Sequence, residues 1–301
     1  MGFKEFVNKI KKRPAEKIQN KPDSFKKEEN TIRDIMETVH FYIYKKDFNT
    51  AEQIMSRLVK EIIDKVQEAD IFQEDSNSIC FSFEEFFEEL LYAVIYEPKK
   101  KLRRADIPFS EVYALYGVVL FDLKRFDEAE MALDKAIRWN PCKAQWIFEK
   151  AEIYKAKGDF EHFFELTLKT FDIAYKAEDV ARCYRNLGFY FAEKELWSEA
   201  MACNLLSLEL NPDSDHANAE ISYIYQKTKG SVLPPDIEQI KLYSKKYGFP
   251  IGASEKVLEI AVSCGNHFLE KKMVDTAKYC FTIAYNSTLD EQLKEMLKPI
   301  L

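Results

Sequence analysis

The sequence predicts an all-α fold, a solenoid made by stacking antiparallel helix pairs, and three observations predict it. A glycine or other small residue recurs inside a fixed frame of large apolar residues, with an alanine twelve residues later and, in two copies, a proline twelve beyond that. Apolar side chains make up 47% of the 301 residues and aromatics 14%, enough to fill the seams between helices, whereas 8 Gly and 10 Pro are too few for a β-rich or disordered chain. The apolar residues also keep helical spacing, as in Phe83, Phe86, Phe87, Leu90, Leu91, Val94 and Ile95. A single helix pair cannot bury its apolar faces alone, so repetition implies stacking, and the product of stacking is a surface.

The frame is clearest from Tyr184 to Pro212. With Gly188 as reference, Tyr184 stands four before it, Leu187 one before, Phe191 three after, Ala200 twelve after and Pro212 twelve further on. Tyr113, Tyr116, Gly117, Leu120, Ala129, Leu133, Ala136 and Pro141 take the corresponding places in 110–141. Ala261, Cys264, Gly265, Phe268, Ala277, Phe281 and Ala284 repeat them toward the C-terminus. Ile35, Val39, Tyr42, Ala51, Met55 and Leu58 give a weaker copy without the glycine. The small residue on each first helix is expected to face the alanine of the second, so that the two backbones close up. Pro141 and Pro212, each after an asparagine, stop the second helices.

This frame resembles the tetratricopeptide repeat, a unit of about 34 residues that carries W-x2-L-G-x2-Y, then A-x3-F, then P. The resemblance implies a right-handed superhelical solenoid. It also implies a non-enzymatic protein-interaction module or scaffold that holds a partner on the concave face lined by its first helices.

Taken in order, residues 1–30 are locally basic, with nine Lys or Arg against five acids. Phe3, Phe6, Val7 and Ile10 place one apolar stripe on a short helix beside Lys9, Lys11, Lys12 and Arg13. It reads as a cap on the array or, alternatively, as a membrane-peripheral anchor over residues 3–13. Residues 31–109 hold a divergent hairpin, Thr31 to Lys65 with its link near Lys46-Asp47-Phe48, and an extra helix over 82–96. Residues 61–97 are the most acidic part of the chain, with eleven acids against one Lys, and Gln73 to Ser78 reads as a loop. Ser82-x-x-Glu85 is a capping box that would open the extra helix, and Glu84, Glu85, Glu88 and Glu89 form its wet face. Pro98 ends it, and the basic stretch Lys99, Lys100, Lys101, Arg103, Arg104 follows as a loop.

Residues 110–288 form the regular array, with hairpins at 110–141, 144–177, 181–212, 215–248 and 254–287. The second is degenerate, with Ala151 at the reference place and Phe163 where alanine is usual; Ser222 holds the reference place of the fourth. The step of 43 residues from Ser222 to Gly265 asks for a longer connection, which Gly230 to Pro235 and Gly248 to Gly252 can supply. Residues 289–301 read as a C-terminal capping helix.

Several chemistries find no support. The histidines at 40, 162, 216 and 267 have no ligand partner at i+3 or i+4, and no glycine-rich phosphate loop or G-x-S-x-G is present, so no cofactor, metal or catalytic residue is expected. A net charge of -7 gives no footprint for nucleic acid. No secretory signal opens the chain and no apolar run reaches about 18 residues, so stable membrane insertion is not expected. Six scattered cysteines without a C-x-x-C read as small buried thiols of a reducing, cytoplasmic protein.

Carried onto this sequence, the concave positions implied by the resemblance are Phe148, Lys155, Arg182, Arg185, Asn186, Phe189 and Tyr223. Arginine and aromatics anchor interfaces and asparagine can pin a peptide backbone, so the expected ligand is a peptide or helix with acidic and apolar side chains. Members of the family that grip a chaperone's C-terminal carboxylate use Lys and Asn where this chain has Ala114 and Val118, and that clamp is not expected. An enzyme or small-ligand pocket between helix 82–96 and the array is the alternative from another class.

Overall fold

The computed structural model describes the backbone of residues 23–69 and 75–301, with side chains at 30–63 and 75–301. The apolar-basic stripe of residues 3–13, and with it the expected cap or anchor, lies outside them. Fourteen helices and two four-residue strands follow in order among the described residues. The chain divides into two compact units, Met1–Ile153 and Tyr154–Leu301.

In the first unit α1 (Asp23–Tyr44) and α2 (Phe48–Ala69) form the N-terminal hairpin, then come β1 (Ser78–Phe81), α3 (Phe86–Tyr96) and β2 (Lys101–Arg104), then α4 (Phe109–Asp122) and α5 (Phe126–Trp139). The next helix, α6 (Ala144–Lys157), contains the boundary between the units. In the second unit follow α7 (Phe160–Thr170), α8 (Ala177–Glu193), α9 (Trp197–Leu210), α10 (Asp215–Thr228), α11 (Ile237–Tyr247), α12 (Glu255–Glu270), α13 (Val274–Ser287) and α14 (Glu291–Leu297).

The all-α expectation holds, and the hairpin links share one device. Seven residues after each reference position stands a residue in the left-handed region: Lys46, Lys124, Gly158, Glu195, Lys229 and Lys272, with φ between 51° and 74°. The amide after each donates back to the carbonyl five residues earlier, as Asp47 to Tyr42, Arg125 to Leu120, Leu196 to Phe191, Gly230 to Tyr225 and Met273 to Phe268. This closes the helix end and reverses the chain. Five of the six are Lys or Glu, each held there at a cost of about 1 kcal/mol. In five links the second helix begins two residues later, at Phe48, Phe126, Phe160, Trp197 or Val274; after Lys229 it waits until Ile237.

Close approach at the reference glycines is real, and at Gly117 a Cβ would come within 3.3 Å of the expected Ala129 backbone, but the nearest neighbour is a different residue. A Cβ on Gly117 would lie 2.7 Å from Leu133, on Gly188 2.5 Å from Asn204 and on Gly265 2.5 Å from the Phe281 ring. The glycine therefore makes room for the larger residue sixteen positions on, one helical turn past the alanine. Ala129, Ala200 and Ala277 are fully buried all the same.

Four expectations about residues 73–104 are corrected. Ser78 begins a strand rather than ending a loop, and the basic stretch contains a second strand. β1 and β2 pair in parallel, with Ser78 opposite Lys101 and Phe81 opposite Arg104. Ser82 does not open α3. Its amide donates to the Trp139 carbonyl at 2.7 Å and its hydroxyl to Ile107 at 3.2 Å, while the capping box is formed by Glu85 and Glu88. Glu88 is on no wet face, being 0% exposed. Its Oε2 accepts from the amides of Glu84 and Glu85 and from Asn140 Nδ2 at 2.8 Å, and Lys143 Nζ lies 3.6 Å from Oε1. A charge is tolerated out of water only with such partners, and two of them, Asn140 and Lys143, come from the link after α5. The insert is thus tied to the first repeat, while α1 and α2 pack directly on α4.

The second unit departs from a simple progression of pairs. α8 closes on α9 and α12 on α13, and α7 packs on α8. α10 and α11 share no comparable contact: α10 lies on α9 and α8, whereas α11 is fastened to α9 through Tyr243 Oη to Ser198 at 2.8 Å and Tyr247 Oη to Glu199 at 3.0 Å. The predicted hairpin 215–248 is therefore two helices on one neighbour. The last pair turns back onto α8. There the buried Tyr184 hydroxyl donates to the Pro250 carbonyl at 2.8 Å and accepts from the Gly252 amide at 2.6 Å. Gly252 has φ 87° and a Cβ would meet the Leu289 nitrogen at 2.9 Å, so only glycine fits that contact.

All six cysteines are free and buried, as expected. Burial pushes the Cys264 and Cys280 thiols up to about 12, so both stay protonated at neutral pH. Among the described residues no helix is long and apolar enough to cross a membrane, and no group of His, Cys, Asp or Glu is arranged to hold a metal.

Candidate partner-binding face

The predicted concave residues of the second unit meet along α8. Arg182, Arg185, Asn186 and Phe189 recur at three- and four-residue spacing, which puts them on one side of the helix, with Arg185 at the edge of that side reaching Ser207 on α9. The Lys155 ammonium sits 4.1 Å from the centre of the Phe189 ring and 5.9 Å from that of Phe163. Phe189 in turn meets Phe160 and Phe163 edge to face, both at 5.7 Å. A cation held over rings in this way gains about 0.5–1 kcal/mol, and it sets a positive charge directly beside an apolar surface.

Arg185 is half-buried and donates to the buried Ser207 hydroxyl at 3.1 Å. No carboxylate lies within ion-pair distance of it among the described residues. Burial, followed by the positive charge of Arg182, pulls its pKa below the usual guanidinium value. A guanidinium stays charged regardless, so its loss of water is compensated only in part by the Ser207 hydroxyl, and an anion would complete it.

Two predicted residues do not join this face as ligand contacts. Phe148 is 1% exposed and belongs to the interior, ahead of the boundary between the units. Asn186 is buried, with its amide directed to Thr167 Oγ1 at 3.5 Å, so it supports the face instead of meeting a partner. Tyr223 is exposed on α10, with Trp197 6.2 Å away and Lys227 over its ring at 5.4 Å. Sequence reasoning missed Phe160 and Phe163 as walls of the site. The signal was present: a phenylalanine where the frame wants alanine has to find room, and it finds Phe189.

The alternative pocket near the extra helix is a cleft of about 470 Å³ that includes Arg33, Ser82, Glu84, Arg104, Asp106 and Glu111. Its groups already serve the fold. Glu84 pairs with Lys143 at 2.5 Å, Glu111 with Arg33 at 3.4 Å, and Arg104 donates to the carbonyls of Phe83 and Glu84. Burial, together with the nearby charge of Glu84, raises the Glu111 carboxyl above its ordinary value.

A model of the tetratricopeptide repeat matches residues 110–141. No curated protein matches the sequence. Among solved structures, PilF of Pseudomonas aeruginosa is 14% identical, covering 63% of this chain and 84% of its own, with a TM-score of 0.36. The TPR protein TTC0263 of Thermus thermophilus is 15% identical over 64% of this chain and 98% of its own, at 0.32. A tetratricopeptide repeat protein of Parabacteroides merdae is 12% identical over 89% of this chain and 98% of its own, at 0.35. Scores this low transfer neither partner nor activity. The matched segment is α4–α5, the pair with Gly117, Ala129, Leu133 and Pro141 in their frame places, and the match identifies that segment as a tetratricopeptide repeat.

Proposed function

We propose that this chain is a non-enzymatic interaction module that holds an acidic and apolar segment of a partner protein against the α8 face. Lys155, Arg182, Arg185 and Phe189 make the principal contacts and Tyr223 borders them. The observation that carries this reading is Arg185: a half-buried guanidinium hydrogen-bonded to a hydroxyl and facing another arginine gains most from an incoming carboxylate. Phe189, with Lys155 above it, supplies an adjacent apolar anchor.

The test is a photo-crosslinker placed at Phe189 and, as control, at Met131, which is 64% exposed on α5. The partner captured from cell extract should attach at position 189 only. The Arg185→Ala, Phe189→Ala double variant should then lose that partner by at least tenfold in affinity while melting within a few degrees of the parent. Equal crosslinking at both positions, or unchanged affinity, rejects the face.

A further inference from the structure

The fourth hairpin keeps a seat that α4–α5, α8–α9 and α12–α13 fill. On α8 the side turned toward α9 is built from Tyr184, Leu187, Gly188 and Phe191, all buried. The same places on α10 are Asn218, Ile221, Ser222 and Tyr225; Ile221 is half-buried and the other three are exposed. α10 as a whole buries only Ala217 and Ile224, against ten residues on α8 and six on α12. The cause lies in the connection. Lys229 makes the same left-handed turn as the other links, but α11 begins six residues late and its tyrosines hold it to α9. Ser222 retains the small side chain that lets a second helix close, and its hydroxyl is satisfied by the Asn218 carbonyl at 2.9 Å, so a helix could dock there without stranding a donor.

We propose that this side of α10 receives an acidic amphipathic helix of a partner protein, which completes the fourth pair in trans. Shape asks for a small residue followed four positions later by a larger apolar one, the pattern of Ala129 with Leu133 and of Ala277 with Phe281 against their own glycines. Charge asks for acids. Lys229, one turn past Tyr225, and Lys245 are exposed with no carboxylate within ion-pair distance among the described residues, whereas Lys241 and Lys246 are taken by Glu238 and Glu199 and Lys227 lies over Tyr223 on the other side of α10. Tyr225 is exposed on the same side of α10, and Leu233 and Ile237 are exposed in the connection and at the start of α11, so apolar surface is offered together with these unpaired lysines. The inference does not rest on the α8 face.

The probe is a capped synthetic peptide of residues 126–139, FDEAEMALDKAIRW, one of the chain's own second helices, with four acids against two bases. It is titrated against the intact chain beside a control in which the four acids are lysines. The acidic peptide should bind at least tenfold tighter than the control. Ser222→Trp and Lys229→Glu/Lys245→Glu should each weaken it at least tenfold, and Arg185→Ala/Phe189→Ala should leave it unchanged, which separates failure here from failure of the α8 face. Free Ser222→Trp protein should melt where the parent does, because nothing packs on that side chain. Absent or charge-independent peptide binding overturns the proposal. So does a drop of several degrees in free Ser222→Trp, which would mean that α11 closes on α10. A dimer abolished by Ser222→Trp would give the seat to a second copy, and phosphatidylserine-vesicle binding lost in Leu233→Ser without peptide binding would give it to a membrane; either result overturns it too.

Discussion

In α8–α9 the left-handed turn at Glu195 is followed two residues later by a helix that lies against Gly188; in α10–α11 the same turn at Lys229 is followed by six further residues, and the next helix reaches α9 instead. The first helices start with equivalent small residues and finish with opposite burial. Closure of a pair is therefore decided as much by where its second helix begins as by the helix that receives it. A late start shifts the apolar side of α11 out of phase with α10, and Tyr243 and Tyr247 find Ser198 and Glu199.

The largest expected effect breaks this contrast directly. Gly188→Val should cost about 3 kcal/mol, because even a Cβ would stand 2.5 Å from the amide of the fully buried Asn204. Ser222→Val, at the same frame position, should stay within about 0.5 kcal/mol. Parallel urea titrations measure both, and equal losses would show that α10 is closed in solution.

A second, comparable effect belongs to the first unit, where the repeat is tied from outside. Glu88→Ala removes an acceptor of three hydrogen bonds beside Lys143 and should cost about 3 kcal/mol. Burial, opposed by Lys143, raises the Glu88 pKa above its ordinary 4.5. A raised acid contributes stability that is complete below pH 4.5 and is lost as pH climbs through the raised value. Glu88→Gln should flatten that decline in a pH series of melting curves; an unchanged slope assigns the pH dependence elsewhere.

The smallest effect sharpens the comparison among closed pairs. Leu133 and Phe281 fill the places opposite their glycines with apolar atoms, whereas Asn204 fills its place with an amide whose Nδ2 donates to Ala200 and whose Oδ1 has no partner. Leucine has nearly the same shape, so Asn204→Leu should stabilise the chain by about 1 kcal/mol. A loss in calorimetry would show that the amide serves something beyond packing.

Much of this was legible because the frame is local. Gly117 with Ala129 and Gly188 with Ala200 located the paired helices, and the long step to Gly265 marked a longer connection, though not that the connection would part α10 from α11. What escaped depends on distant partners. Lys101–Arg104 is a strand only because Ser78–Phe81 offers it a backbone ladder, and a basic run gives no alternation to betray that. Glu88 sits on the polar side of its own helix, but Asn140 and Lys143 roof it over. The left-handed lysines were invisible because glycine or asparagine normally signals that turn. At the candidate site, spacing brought Arg182, Arg185 and Phe189 to one side of α8; it could not show that Phe148 is consumed by the interior or that Asn186 is.

The hydroxyl of Tyr184 bears on how such a chain can be shortened. Where every pair leans only on the one before it, units can be trimmed from the end one at a time. Here the final pair rests on a helix near the middle of the second unit, through Pro250 and Gly252. A cut after α11 would strip the cover from an aromatic ring that is otherwise wholly enclosed, so this half of the molecule has given up the modularity of a repeat array and must be kept or lost as one piece.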